Sequence, residues 1–530
     1  MELLKYSIKD RVLQTVVTRI NVGKEILKNA GAAFFFGEII TEADEMGFEN
    51  AKKLLSEYKS QCDIPPLITS DFENGCGSML KGLTPLPLLM SLGATDDEKL
   101  AYDYGKATAL EACAIGANWT FSPVVDLNLN RRNPIVNVRS LGDNSNKVSN
   151  LASKIIQGMQ ENGLAACAKH FPGDGIDWRD QHLVTTNNLL SFEDWKKHSG
   201  YVFQKVIEAG VYSIMAGHIT LPDYQKETFN NGMKLPATLS YELIQELLKK
   251  EMCFDGIVVT DAVNMGGFNG WYKTLLDTQI ESLKAGCDMV LWPCEEYVDE
   301  TIKAVENGYI SKDRLDDAFN RIMSIKDKIG LFEKPYSVSL GNEQKAFVKD
   351  VQKNVAENSI TLVRDDNKIL PINNDKIKRI AVIPVYHHAP CIEQAEFFRD
   401  ELIRAGYKVD YYPTEFITNE EIDKSDLVIY AMFSRPLRPV GFLDFHSREG
   451  DKILRSCQYG NEKTIAISFG SPYFGEQYFE RASTYINAYS FLNCSVEACV
   501  KALNGDISFT NYSPVKIKMN LLDEKFKIEL

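Results

Sequence analysis

The segment Phe254-Asp255-Gly256-Ile257-Val258-Val259-Thr260-Asp261-Ala262-Val263-Asn264-Met265 holds an apolar run that stops abruptly at an acid. Strands buried on both faces read as continuous hydrophobic runs. Asp261 stands where such a strand would leave the core. Alone, that carboxylate has two readings: a helix N-cap, or a functional group at a strand's carboxyl end. The same design recurs along the chain. Apolar runs at Ala32–Phe36, Pro66–Asp71, Asn118–Pro123, Ala165–His170, Tyr212–Ala216, Gly256–Asp261 and Met289–Leu291 alternate with amphipathic, helix-like stretches. The stretches include Asp97–Ala114, Asn146–Asn162, Ser240–Glu251 and Trp271–Ala285. Such units over roughly 300 residues predict a (β/α)8-type barrel, although periodicity alone leaves a doubly wound sheet open. Several runs end in Asp71, in Lys169 with His170, or in Asp261, and His218 follows Met215. In a barrel these ends share one face, where they can converge on a ligand. Core-only strands have no use for them, because an unpaired buried charge is costly.

The pattern breaks at GLFEKPYSVSLGN, residues 330–342, which reads as a linker. A second α/β series follows, with strands expected at Arg379–Val385, Lys408–Tyr412, Leu427–Phe433, Thr464–Phe469 and Thr484–Ala488. That spacing suits helices packed on a mostly parallel sheet. The expected division is a barrel over 1–332, a linker over 333–344 and a smaller α/β sandwich over 345–530. A chain of 530 residues accommodates two such cores. The net charge of -14 and the lack of a basic stripe argue against a nucleic-acid partner. No segment reaches the roughly 18 apolar residues of a membrane span. The first twenty residues mix charges among apolar side chains and lack the run and cleavage site of a secretory signal. The 11 cysteines are scattered, without a Cys-x-x-Cys pair, as in a reduced cytoplasmic set. Oligomeric state is left open.

The densest chemistry lies in AKHFPGDGIDWRDQH, residues 168–182. Pro172, Gly173 and Gly175 end the preceding run and force a loop. Two histidines of the chain's 7 fall within it, beside Asp174, Asp177, Asp180, Lys169 and Arg179. Three readings are open: a solvated connection, a metal site, or acid–base machinery. Asp180 and His182, two residues apart, can bond through one ring nitrogen, which fixes the tautomer and makes a competent general acid or base. The spacings match no metal signature, and neither metal nor cofactor is expected. A third segment, Thr69-Ser70-Asp71-Phe72-Glu73-Asn74-Gly75, is another run ending in acids. No serine nucleophile elbow, phosphate-binding loop or dinucleotide fingerprint is present.

Together these segments resemble family 3 glycoside hydrolases, in their β-N-acetylglucosaminidase branch. The likeness spans nearly the whole chain. It runs through SDFENG near Asp71, FSPVVDLNLN at 121–130, NVRSLGD at 137–143, KHFPGDG at 169–175 with DQH at 180–182, PATLS at 236–240, VVTDAVNM at 258–265, AGCDMVLWP at 285–293 and RLDDAFNRI at 314–322. In the second half, ENSITLVRDDNKILPI, SFGSPY and INAY are similar to the sandwich domain that often follows the barrel.

The resemblance implies that Asp261 is a nucleophile forming a covalent glycosyl-enzyme. His182 would be the acid/base, oriented by Asp180 on a loop that closes over bound sugar. Asp71, Arg139, Lys169 and His170 would hydrogen-bond the sugar hydroxyls. A retaining glycosidase ordinarily uses two carboxyl groups about 5 Å apart, so a His–Asp pair departs from the rule. Two further departures stand out: Cys76 replaces a common Arg, and Asp174 a common His. Both were expected near the sugar, with Cys76 costing a cationic contact to an anionic aglycone. The implied activity is release of terminal β-linked N-acetylglucosamine from a carbohydrate substrate. Phosphorolysis on the same scaffold is a close rival, and a β-glucosidase, a β-xylosidase or an inactive sugar-binding protein are more distant ones.

Overall fold

The structure, a computed structural model, describes residues 5–20, 27–35, 48–230, 232–333, 339–372, 376–387, 391–414, 416–434, 445, 448–456, 459–510 and 512–517. Among the described residues ten strands precede residue 300: β1 Val16–Ile20, β2 Ala32–Phe35, β3 Leu67–Ser70, β4 Trp119–Thr120, β5 Cys167–Phe171, β6 Thr186–Asn187, β7 Ser213–Ala216, β8 Ile219–Thr220, β9 Ile257–Thr260 and β10 Val290–Leu291. Five of them run β10-β1-β2-β3-β4 and three run β5-β7-β9, every neighbour parallel. Parallel bridges from Trp119 to Ala165 and from Val259 to Met289 join the two arcs into a closed ring. The barrel expected from the apolar runs is therefore present. β6 and β8 form a separate two-stranded ribbon.

β1 was not anticipated, because Thr18 and Arg19 interrupt its apolar character. Arg19 lies 5.5 Å from the Trp292 ring centroid, which gives that charge an aromatic face. Phe36, the last residue of one expected run, lies outside the described residues. The helix expected from Trp271 begins only at Leu275. Thr274 caps it, accepting the Asp277 N–H while the Asp277 carboxylate accepts the Thr274 N–H.

The barrel interior is apolar and aromatic: Val17, Phe34, Trp119, Phe121, Met215, Val259 and Met289 pack together. Phe34 stacks on Phe121 at 5.6 Å, and Trp119 meets Phe121 edge-on at 4.8 Å. At the amino-terminal face, Asp288 accepts from Lys249 Nζ at 2.7 Å, from Arg314 at 2.5 Å and from the Val258 N–H at 2.8 Å. Arg321 bonds Asp317 and the carbonyls of Phe254 and Gly256. The RLDDAFNRI segment thus braces the closed end of the barrel, opposite the strand ends that carry Asp71 and Asp261.

A second sheet has the order β11-β16-β15-β14-β12-β13. Its strands are β11 Thr361–Asp365, β12 Arg379–Tyr386, β13 Lys408–Tyr411, β14 Leu427–Phe433, β15 Thr464–Phe469 and β16 Thr484–Asn487. All pairs are parallel except β11 with β16. β11 escaped the sequence reading because it is a half-exposed edge with an Arg and an Asp in it. The helix Asn342–Ser359 spans both units, with Val348, Val351 and Val355 in the barrel-side core and Ala356 in the core of the second sheet. Arg131 pairs with Glu476 at 2.7 Å, and Asn137 Nδ2 donates to Ser471 Oγ at 3.3 Å. Among the described residues no helix is long and apolar enough to cross a membrane.

The helices Glu98–Ile115 and Ser145–Glu161 cross through glycines. A Cβ on Gly105 would lie 2.1 Å from the Ile155 carbonyl oxygen, and one on Gly158 2.1 Å from that of Tyr102. Both obstacles are backbone, so neither can swing aside. Gly105→Ala or Gly158→Ala is expected to destabilise the fold by at least the roughly 1–3 kcal/mol typical of overpacking. A lowered denaturation midpoint in urea checks this; an unchanged midpoint would show that the helices can separate freely.

Candidate active site

Each sequence-predicted site residue sits at the carboxyl end of a barrel strand or on the loop that follows it. Asp71 leaves β3, Lys169 and His170 end β5, and Asp261 leaves β9. Arg139 comes from a 3-10 turn, Asn137–Arg139, in the connection after β4. Asp180 and His182 lie on the loop after β5. The structure brings all seven to one mouth, in two layers. Asp71, Asp261 and His182 keep side-chain exposures of 22%, 12% and 17%, while Lys169, Arg139, His170 and Asp180 are buried behind them.

The first buried group centres on Glu73, which the sequence reading quoted but did not place in the site. Glu73 accepts from Arg139 Nε at 2.9 Å and Arg139 Nη2 at 2.7 Å, a two-point pair. Lys169 Nζ lies 2.7 Å from Glu73 Oε1 and donates to Asp71 Oδ1 at 2.7 Å. Burial works against the Arg139 charge, but the carboxylates of Glu73, Asp71 and Asp126 outweigh it and raise its pKa. The second group centres on Asp126, also missed. It accepts from His170 Nδ1 at 2.7 Å, from the His170 N–H at 3.0 Å and from the Asp174 N–H at 2.8 Å. The far side of the same ring, His170 Nε2, is 3.8 Å from Asp261 Oδ2. A carboxylate on one ring nitrogen fixes the tautomer presented at the other.

Burial would raise the carboxyl of Asp261. The imidazoles of His170 foremost, then His218 and His182, with the Ala262 N–H, more than reverse this and bring it down to about 2. The Ala262 N–H donates to Oδ1 at 2.7 Å, and the Asp261 N–H is tied to the Ala216 carbonyl. His218 has a different role from its neighbours. It is fully buried, donating from Nε2 to the Ala262 carbonyl at 3.0 Å, with Nδ1 on Thr238 Oγ1. Burial lowers it to about 4, so it braces Ala262 as a neutral ring.

On the loop, His182 Nδ1 donates to Asp180 Oδ1 at 2.7 Å, and the same oxygen accepts the His182 N–H at 2.8 Å. The loop expected to close on sugar is tied to the segment after β9: the Gly266 N–H donates to the His182 carbonyl at 2.8 Å and the Gly267 N–H to that of Gln181. Gly175, with φ of 90°, lets the loop pass within contact of Leu127, whose carbonyl oxygen would be 2.0 Å from any Cβ there.

The two departures from the resembling pattern, Cys76 and Asp174, are both buried. Cys76 is fully buried and points to the Thr108 carbonyl in the surrounding helix layer. Asp174 lies behind the loop, where burial and then the Asp126 carboxylate raise it to about 7. His388 and His446 lie outside the described residues. A cleft of about 1100 Å³ between barrel loops and the second unit, lined by Asn130, Ile176, Tyr201 and Tyr473, does not include the Asp261 cluster.

The model of the glycosyl hydrolase family 3 N-terminal domain matches residues 7–325, a range that holds all seven sequence-predicted site residues. The chain belongs to glycosyl hydrolase family 3. It is 31% identical over 500 residues to a β-N-acetylglucosaminidase/β-glucosidase of Cellulomonas fimi, a match covering 88% of this chain and 86% of that one. A β-glucoside phosphorylase structure superposes with a TM-score of 0.88 at 28% identity, over 98% of this chain and 95% of that one. A family 3 β-N-acetylglucosaminidase from Paenibacillus sp. str. FPU-7 shares the fold, at 24% identity and a TM-score of 0.80, over 97% of this chain and all of that one. The resemblance read from the motifs is thereby shown, and this family 3 chain is an enzyme of the glycoside hydrolase class.

The Asp126–His170 pair has a direct consequence for this family 3 site. Asp126→Asn keeps the shape but removes the charge that orients His170 against Asp261. Activity is expected to fall about 10–100-fold, by analogy with outer partners of metal-bound histidines. Steady-state kinetics with a thermal-melt control checks this; unchanged kcat/KM would mean that His170 needs no such partner.

Proposed function

We propose that this enzyme is a retaining glycosidase that releases terminal β-linked N-acetylglucosamine, its chemistry carried by the barrel of residues 1–332. One observation carries the reading: a carboxylate kept ionised, Asp261, shares a mouth with an imidazole backed by a carboxylate, His182 on Asp180. In the first step an Asp261 oxygen attacks the anomeric carbon, and His182 gives its Nε2 proton to the departing glycosidic oxygen. In the second step His182 takes a proton from water, whose oxygen displaces Asp261 from the sugar. Oδ2 is the oxygen not held by the Ala262 N–H, which suits it to the attack. Asp71 offers an accessible acceptor for sugar hydroxyls, with Lys169 and Arg139 fixed behind it. The N-acetylglucosamine assignment is supported by the name of the C. fimi relative.

The test is a pair of variants assayed on aryl β-N-acetylglucosaminides. Asp261→Asn should abolish turnover with folding intact, and wild-type activity should not lose its nucleophile to protonation until far below pH 4. His182→Ala should lose most on aglycones that are poor leaving groups, because those need the proton in the transition state. Full activity in Asp261→Asn would remove the nucleophile assignment.

Phosphorolysis is the second reading, supported by the likeness to a β-glucoside phosphorylase. In place of a carboxylate acid/base, which would repel phosphate, this chain offers an imidazole. Incubation with inorganic phosphate should then give sugar 1-phosphate. Free sugar alone at saturating phosphate would exclude that reading.

A further inference from the structure

The loop bearing Asp180 and His182 is held from behind by a line of hydrogen bonds whose order is fixed. Asp174 Oδ1 accepts from Asn133 Nδ2 at 2.9 Å and from the Gly175 N–H at 2.6 Å. Its other oxygen, Oδ2, accepts from Gln181 Nε2 at 3.2 Å. The same amide accepts at Oε1 from the His218 N–H at 3.0 Å. His218 Nε2 then donates to the carbonyl of Ala262, the residue after Asp261. At the other end, the Asp174 N–H donates to Asp126, which orients His170. Gln181 is fully buried and Asp174 nearly so, and neither has water to substitute for a lost partner.

We propose that Asp174 and Gln181 are positioning residues: a buried strut that sets the Asp180–His182 pair at its working distance from Asp261. Gln181 directly precedes His182 and joins it, through two side-chain bonds, to Asp174 on the loop after β5 and to His218 just after β7, the strand beside β9. The strut has a sense. Reversing the Gln181 amide would aim its NH2 at the His218 N–H and its oxygen at a carboxylate, so one orientation alone satisfies both ends. The inference rests on His182 being the acid/base.

The test exploits that sense. Asp174→Asn preserves size but sets an NH2 against the Gln181 NH2. Gln181→Glu sets a carboxylate against Asp174. The double variant Asp174→Asn/Gln181→Glu restores a donor facing an acceptor, and leaves a second acceptor for the His218 N–H. Gln181→Met, which removes both bonds without creating repulsion, is the second single variant should Asp174→Asn fold poorly. All are compared with His182→Ala on aryl β-N-acetylglucosaminides of graded leaving-group acidity, with thermal unfolding recorded for each.

His182→Ala should show the steepest dependence on leaving group. The single variants should lose on the order of 10-fold on the poorest leaving group, a fraction of the roughly 10²–10⁴ that a general acid supplies. They should lose little on the best one, and the double variant should recover most of the loss. Equal losses on every aglycone, no loss at all, or a double variant no better than the singles would overturn the strut while His182→Ala keeps its slope. A flat His182→Ala series would instead bring down the acid/base reading, and this proposal with it.

Discussion

Two buried cations at the rim of an apolar barrel, Lys169 and Arg139, are tolerable only in a closed set with the buried Glu73 and the part-exposed Asp71. Lys169 and Arg139 are almost fully withdrawn from water, and breaking one member of such a group commonly costs about 3–5 kcal/mol. Glu73 makes the set close: it takes a two-point grip on Arg139 and shares Lys169 with Asp71. The positions of Asp71, of the turn carrying Arg139 and of the end of β5 therefore follow from one carboxylate. Because those groups are fixed before any ligand arrives, little ordering is left to occur on binding.

The same mouth holds carboxyl groups with opposite tendencies. Asp261 is brought down to about 2 by imidazoles and a backbone N–H, while Asp174 is raised to about 7 by burial and a neighbouring carboxylate. Asp71, Asp261 and His182 are the members that keep some exposure at the mouth. The buried ones behind them decide charge and direction.

Much of this was legible in the chain because parallel barrel strands are short, doubly buried and terminate on one face. The apolar runs, and the abrupt acids or cations at their ends, exposed Asp71, Lys169, His170 and Asp261. What stayed hidden depends on direction in space. Glu73 and Asp126 stand within quoted motifs, yet spacing does not say whether an acid turns toward substrate or toward a neighbouring cation. An acid three residues beyond the end of β3, or the acid closing the FSPVVD segment, was the available signal. Cys76 misled for the same reason: one residue past Gly75 the chain turns its side chain into the helix layer. β1 and β11 were passed over because charged residues lie inside them, one relieved by an aromatic ring and the other by an exposed edge.

The turn that supplies Arg139 begins at Asn137, whose side-chain amide reaches across to Ser471 in the second unit, while nearby Arg131 grips Glu476. The C-terminal unit is thus more than a cover over one flank. It shores up the turn from which Arg139 reaches Glu73, so the two modules have become mutually fitted parts. Exchange of that unit between relatives would not be a neutral transplant, because drift in the loop around Ser471 would be inherited as drift in the turn that holds Arg139 on Glu73.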